Sequence, residues 1–319
     1  LDFSTITINN FNEIITVNGG NSSIFGSGAM GGTIHINSFP IYNNERDKIL
    51  FTREIGSFGL NSNSIRIQKI KNNLILSASY LKLYDKNNFR YTNTTQNGNP
   101  TEFNDYGKRK SEEKKIDVLY KFNSNHEFSS SYWYNYLERE VPQNMTIQNS
   151  DAIQYDENTR ILISSNHRLN NFDIKLKQAY LKENFRYTEI IKDIDSRFLA
   201  ESKITDIDIK LHSKKYLFNI GTMFNNHNIS NNNYIGSQQK EQQLAIFSSI
   251  QYNSNIFKVN TAIRKEWETN YKAPLLPSLA IELDIINNTK IRAKYNQNFR
   301  APSFNDRFWV GSNSQGNIN

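Results

Sequence analysis

Five histidines are the side chains in this 319-residue chain whose type best suits metal or acid–base chemistry. His35, His126, His167, His212 and His227 are scattered, mostly at the ends of strand-like stretches, with neither H-x-x-x-H nor H-E-x-x-H spacing. Each reads as a surface or interfacial residue before it reads as a ligand. Asp85, Glu102 and Asp105 share one long polar stretch. Carboxylate oxygens suit Ca²⁺, but a solvated loop is the simpler account of them. The run GSGAMGG has the composition of a phosphate cradle, yet no Lys follows it and no helix is expected to begin there, so a nucleotide site is set aside. No nucleophile lies beside a base, and cysteine is absent, which removes disulfides and thiolate metal sites. The chain is not expected to be an enzyme, and no cofactor or bound metal is implied.

The elements that would carry such residues are strands. Hydrophobic content is 37%, with 17 Tyr and 20 Phe against 14 Gly and 6 Pro, which favours strands joined by Asn-rich turns. No stretch approaches the ~18 uncharged apolar residues of a transmembrane helix, which says nothing against a barrel that crosses with alternating strands. The net charge of +7 comes from interspersed residues with no basic cluster, so nucleic acid is not an expected partner. The chain opens at Leu1 without a leader and stops at Asn319 without a closing strand, so both ends are expected to be cut.

Connections alternate between tight and long. The tight ones fall at Asn72-Asn73, 123–125, Asn170-Asn171, Lys214-Lys215, 253–255 and Asn287-Asn288; the long polar ones at 85–112, 140–157, 184–201 and 230–240. Between them the period is two. Ile116, Val118 and Tyr120 alternate with Lys115, Asp117 and Lys121, and Ile207, Ile209 and Leu211 alternate with Asp206, Asp208 and Lys210. That is antiparallel sheet with one apolar and one polar face. Aromatics crowd the tight-turn end, at Phe122, Phe128, Phe172, Tyr216, Phe218, Tyr252 and Phe257, as expected of a membrane-interface girdle. Ordinary core aromatics of a soluble β protein are the alternative.

About thirteen strands are predicted, at 48–57, 60–70, 74–84, 113–122, 127–138, 157–167, 172–183, 202–212, 215–227, 242–252, 256–268, 278–286 and 289–299. An odd count would leave an open edge in lipid, so further strands are expected beyond Asn319. Residues 1–40 differ from the rest: Ile6-Thr7-Ile8, Ile14 to Val17 and Thr33 to Asn37 are short β segments around the glycines, and Phe39-Pro40 with the polar run Asn43 to Asp47 reads as a linker. The expected division is therefore a small domain end at 1–40 and a barrel at 41–319.

Two segments resemble the TonB-dependent outer-membrane receptors. ITVNGGNSSIFGSGAMGGTIHIN, residues 15–37, is similar to the close of that family's plug domain, I-E-V, R-G-P, then S-x-x-Y-G-S-x-A-x-G-G-x-I-x-I. Gly20, Ser23, Phe25, Gly26, Ser27, Ala29, Gly31, Gly32, Ile34 and Ile36 take those places. Thr16 stands where the family often has an acid, Gly19 where it has arginine and Asn21 where it has proline, and the spacing to Phe25 is one residue short. NFRAPSFNDRFW, residues 298–309, is similar to the barrel signature F-R-A-P-x-x-N-D/E-L-Y/F-W, matched by Phe299, Arg300, Ala301, Pro302, Asn305, Asp306, Phe308 and Trp309. The second arrangement is most similar to vitamin B12 receptors, and ferric-siderophore receptors share it. On the residues alone, Pro302 ends the last predicted strand.

The resemblance implies an all-β, antiparallel transmembrane β-barrel, about 13 of an expected 22 strands, preceded by the C-terminal part of a plug domain. It implies a monomeric receptor in the Gram-negative outer membrane, among lipid and lipopolysaccharide, that actively takes up a scarce large solute, cobalamin or an iron–siderophore complex. A TonB-type energy-coupling complex of the inner membrane would pull on the plug. The tight turns would then be periplasmic and the long connections extracellular. Phe89, Tyr91, Phe185 and Tyr187 in those loops are expected to touch the ligand, and the basic excess suits an anionic chelate. A passive porin and a soluble all-β binding or adhesion protein are the alternatives.

Overall fold

The computed structural model describes residues 5–6, 11, 13–37, 46–142, 144–146, 151–286, 289–311 and 314–318. It begins with a two-stranded antiparallel sheet, β1 (Glu13–Asn18) and β2 (Gly32–Asn37), joined across the one-turn helix α1 (Ser22–Phe25). The expected linker at 39–45, the 40/41 boundary, Thr7-Ile8 and the Asn287-Asn288 turn lie outside the described residues.

The rest is dominated by one antiparallel sheet of 13 strands in sequence order. They are β3 (Lys48–Ile55), β4 (Asn61–Lys71), β5 (Leu74–Asp85), β8 (Arg109–Lys121), β9 (His126–Glu140), β10 (Ile153–Leu169), β11 (Phe172–Glu189), β12 (Ile194–His212), β13 (Tyr216–Asn231), β14 (Gln238–Asn253), β15 (Phe257–Glu268), β16 (Leu276–Ile286) and β17 (Thr289–Asn296). A separate hairpin, β6 (Arg90–Thr92) and β7 (Thr101–Phe103), sits within the connection from β5 to β8. Helix α2 (Phe304–Phe308) follows β17. β3 and β17 are the edges, so the described barrel wall is open.

The faces are sorted opposite to those of a soluble sandwich. On β8, Glu113, Lys115 and Asp117 are buried, while Ile116 between them is 51% exposed. Leu76, Tyr132, Leu176, Ile220, Ile246 and Leu279 stand outward in the same way. Exposing that much apolar surface to water costs about 25 cal/mol per Å². A continuous outward apolar band with charges inside is the arrangement lipid favours. The polar face meets its own needs: Lys115 pairs with Asp117, which also accepts from Ser131 Oγ at 2.7 Å.

The tight-turn end follows the expectation. Asn72 and Asn170 adopt φ of 51°, the left-handed region that Asn tolerates best after Gly. Asn123 Oδ1 accepts from the amides of Asn125 and His126 at 2.8 and 3.0 Å, closing that turn with its own side chain. Rings gather beside these turns: Tyr120 on Phe122 at 4.8 Å, Tyr216 on Tyr252 at 4.9 Å and Tyr252 on Phe257 at 5.3 Å between centroids.

The other end departs from it. The expected loop 184–201 is a hairpin: β11 and β12 stay paired from Phe172↔Leu211 to Glu189↔Ile194, and only residues 190–193 turn the chain. At 18 and 19 residues, these strands far exceed the roughly 9–11 that span a bilayer. The loops expected at 140–157 and 230–240 shrink likewise, to the gaps between Glu140 and Ile153 and between Asn231 and Gln238. Beyond the outward apolar band both faces of a strand meet water, so apolar alternation disappears although backbone pairing continues. Ion pairs hold it instead. Arg186 reaches Asp195 at 3.0 Å and Arg197 reaches it at 2.8 Å. Those guanidiniums, Arg186 first, hold the Asp195 carboxyl well below the usual carboxylate range. Pro302 does not end a strand: β17 stops at Asn296, and Pro302 precedes the cap of α2.

Candidate functional site

The two motifs, more than 260 residues apart in sequence, meet inside the sheet. Helix α1 lies against β14, β15 and β16. Gly28 N donates to Phe299 O at 3.0 Å, and Ala301 N donates to Ser27 Oγ at 2.7 Å. Ser23 Oγ donates to Ser278 Oγ on β16 at 2.9 Å. Two glycines permit this closeness. A Cβ on Gly20 would lie 2.1 Å from the Asn298 side chain, and one on Gly26 would lie 2.8 Å from Glu266 Oε1. Among the other positions of the glycine-rich motif, Ser23 and Ala29 are buried, Phe25 packs edge-on against His35 at 4.7 Å, and Gly32 has no room for a Cβ beside Val17 O. Gly31 has open space around it, so sterics do not account for that glycine.

Wall cations complete the seam. Lys294 Nζ donates to Gly20 O at 3.0 Å and to Asn21 Oδ1 at 2.9 Å. Arg264, 1% exposed on β15, donates from Nη1 to Ile24 O at 3.3 Å and pairs through Nε with Glu266 at 2.5 Å. Gln243 donates to Glu266 Oε2 at 3.2 Å, and Asn225 donates to Gln243 at 2.6 Å, which extends the chain across three strands.

Beyond the seam, the second motif forms a cap. Ser303 accepts from Asp306 N, and Asp306 accepts from Ser303 N, a capping box that starts α2 immediately after Pro302. Arg300 reaches Asp306 at 3.6 Å. Phe308 is buried with Ala200, Ile229 and Tyr234, and Asn305 Oδ1 accepts from the Tyr234 hydroxyl. Arg307 is 3% exposed, paired with Glu241 at 2.5 Å and stacked over the Phe304 ring at 4.8 Å.

An open cleft of about 940 Å³ lies between this cap and the extended β11–β12 hairpin. Its walls are Phe185 and Tyr187 on β11, Phe198 on β12, Tyr234 beyond β13, and Phe304, Asn305 and Trp309 of the cap, with Asn231, Asn233 and Ser303 supplying further polar groups. Among the described residues, no charged side chain lines it. Burial, then a hydrogen bond to Glu189 at 3.0 Å, raises the Tyr187 hydroxyl above its ordinary pKa, so it stays a neutral donor.

Phe185 and Tyr187 are therefore strand residues and not loop residues, and they share the cleft with motif residues. Phe89 and Tyr91 are elsewhere, edge-on to each other at 6.5 Å in the β5–β8 connection, where Tyr91 donates to Glu102 at 2.8 Å. Asp85 is engaged with Asn87 N and Arg109, and no three His, Cys, Asp or Glu groups converge among the described residues. The Ca²⁺ reading of Asp85, Glu102 and Asp105 finds no assembled site there. The histidines are less scattered than their spacing implies: His126 and His167 are cross-strand partners with Nδ1 atoms 2.9 Å apart. Arg264, Lys294, Glu241 and Tyr234 went unrecognised in the sequence. Lumen charges at even spacing were visible, but which of them face the glycines was not.

The family model for the TonB dependent receptor-like β-barrel matches residues 10–319. No curated protein matches the chain by sequence. Among solved structures, the FrpB iron transporter of Neisseria meningitidis is similar at TM-score 0.77 and 10% identity, covering 92% of this chain and 52% of that one. The copper transporter OprC gives 0.73 and 11%, covering 96% and 53%. The ferripyoverdine receptor of the Pseudomonas aeruginosa outer membrane, bound to ferripyoverdine, gives 0.67 and 11%, covering 93% and 48%. The chain spans about half the length of these proteins.

Proposed function

The chain belongs to the TonB-dependent receptor-like β-barrel family and is an outer-membrane protein of Gram-negative type, and from that premise we propose that it is a receptor for active uptake of a metal chelate. Residues 1–40 are the closing part of a plug, and residues 41–319 are barrel wall. The single observation that carries the reading is the meeting of the two motifs: the glycine-rich segment is seated on the wall by residues 298–301, and Ser303, Phe304, Asn305 and Trp309 just after them line the cleft. Ligand held in that cleft would rest on the same stretch of chain that touches the plug.

The chemistry of the lining narrows the ligand. Rings of Phe185, Phe198, Phe304 and Trp309 offer stacking surfaces, and Asn231, Asn233 and Asn305 offer paired donors and acceptors. With no charge on the lining, the cleft suits an uncharged chelate with a ring- or amide-bearing periphery better than an anionic one. Cobalamin and an uncharged iron–siderophore complex both meet that description. Orientation follows: the cleft and the long strands face the exterior, and the Asn-rich turns face the periplasm. The partner implied is a TonB-type coupling complex acting from the periplasmic side on a monomeric barrel in lipopolysaccharide and phospholipid.

The test is uptake by a strain lacking the gene and complemented with it. Labelled cobalamin, an uncharged ferric tris-hydroxamate and a trianionic ferric tris-catecholate would be compared with and without a protonophore. Energy-dependent accumulation of one of the first two supports the reading. Accumulation of none, or equal accumulation with the protonophore present, contradicts it.

A further inference from the structure

Among the described residues, every charged group that holds the glycine-rich segment comes from the wall, and each grips a neutral atom. Lys294 donates to the carbonyl of Gly20 and the amide oxygen of Asn21. Arg264 donates to the carbonyl of Ile24, the last turn of α1. The segment itself carries no charged side chain from Gly19 to Gly32. Arg264 meanwhile has its own counter-ion on the same strand, two residues on: Glu266, 1% exposed and further held by Gln243. A buried ion pair broken by withdrawing one partner leaves an uncompensated charge, which is strongly unfavourable. Here the pair lies entirely within the wall, so withdrawal of the segment breaks charge-assisted hydrogen bonds without separating an ion pair. Gly26 fits against both members of that pair, where any Cβ would lie 2.8–2.9 Å from Glu266 Oε1 and Arg264 Nη2.

We propose that Arg264 and Lys294 are positioning residues that set how readily the glycine-rich segment leaves the wall, with Glu266 keeping Arg264 neutralised whether the segment is seated or gone. This rests on the reading of that segment as a movable plug, but its test uses the resting protein and needs no ligand. Ser22 is fully buried and its hydroxyl has no hydrogen-bond partner among the described residues, so Ser22→Cys replaces it with little loss. The 319 residues contain no other cysteine. The rate at which a water-soluble maleimide labels that thiol, in the purified receptor in detergent, reports how often the segment leaves the wall.

Lys294→Met should raise the labelling rate roughly 10-fold or more, since a hydrogen bond to a charged group is removed. Lys294→Arg should keep it near the parent rate. Arg264→Gln combined with Glu266→Gln should also raise it, without leaving a bare buried carboxylate. The double variant Lys115→Gln, Asp117→Asn removes a buried wall pair whose described partners lie within the wall and should leave the rate unchanged. Heat-modifiable gel mobility confirms that each barrel is folded. The proposal is overturned if Lys294→Met and the Arg264, Glu266 double variant label at the parent rate, or if the Lys115, Asp117 variant accelerates labelling as much as they do. Loss of uptake with these labelling rates as expected would count against the transport reading and leave the seam intact.

Discussion

The two ends of the barrel are built from the same strands and hold together by different means. At the tight-turn end, short connections of mostly Asn, Ser and Lys reverse the described strand pairs, and rings such as Tyr216, Phe218 and Tyr252 pack against one another on the outside. At the other end, strands run on as charged hairpins, and a capped helix, a buried arginine and a ring-lined cleft fill the space between them. The first end is chiefly local chemistry, in which Asn123 and Ser254 close their own turns by accepting from amides within three positions, while turn carbonyls such as Asn171 O accept from the neighbouring hairpin. The second is long-range chemistry, in which Tyr234 and Asn305 or Arg307 and Glu241 must find each other across more than 60 residues. Binding sites need the second kind, because converging groups from several strands define a shape that one turn cannot.

That difference can be broken most forcefully at Phe308. Phe308→Ala removes a buried ring from the cluster of Ala200, Ile229 and Tyr234 and should cost about 3 kcal/mol of local stability. Hydrogen exchange should then accelerate in 304–309 and 231–238 together, with the tight turns unaffected. Exchange confined to 304–309 would mean that the cap and the β13–β14 connection are not one unit.

A matched pair of smaller changes sharpens the contrast. Ser303→Ala deletes the capping box of α2 and should cost about 1 kcal/mol. Asn170→Ala forces a left-handed φ on a residue that resists it and should cost a similar ~1 kcal/mol. Denaturation in detergent would register both, yet only Ser303→Ala should weaken chelate binding. Equal loss of binding from Asn170→Ala would remove the functional distinction between the ends.

The smallest effect concerns the tip of the β11–β12 hairpin. Arg186 and Arg197 depress the Asp195 pKa, so its contribution is present above the unfolded value of about 3.9 and disappears as pH falls through the lower folded value. Tip amides should therefore exchange alike from pH 7 down to about 4, after the intrinsic rate is corrected for, and open only below that. Opening near pH 6 would show that the ion pairs do not hold the tip.

Most of the wall was legible in the sequence, because lipid on one side and water on the other impose period two on every spanning strand. Ile207, Ile209 and Leu211 against Asp206, Asp208 and Lys210 could be sorted by inspection. Strand length above the membrane was not legible. Phe185 to Glu189 and Ile194 to Phe198 pair residue by residue, but their composition is that of a loop, since both faces are wet. The capping box was written in Ser303 and Asp306 and was masked by Pro302, which reads as a strand terminator and serves as a helix lead-in. The seam was legible only as two separate motifs. Nothing in the order of residues says that Lys294 and Arg264 turn toward Gly20 and Ile24, because strand register and sheet curvature decide that.

The most direct test of the cleft as the ligand site is tryptophan emission during chelate titration. The chain has three tryptophans, and only Trp309 lines the cleft. With Trp133→Phe and Trp267→Phe as background, an uncharged ferric tris-hydroxamate and cobalamin would each be titrated into the purified receptor, after correction for inner-filter absorption. Saturable quenching by one of them, weakened at least 10-fold by Tyr234→Ala, is the predicted result. Saturable binding of the same chelate by equilibrium dialysis, with Trp309 emission unchanged and Tyr234→Ala without effect, would place the ligand elsewhere and contradict the account.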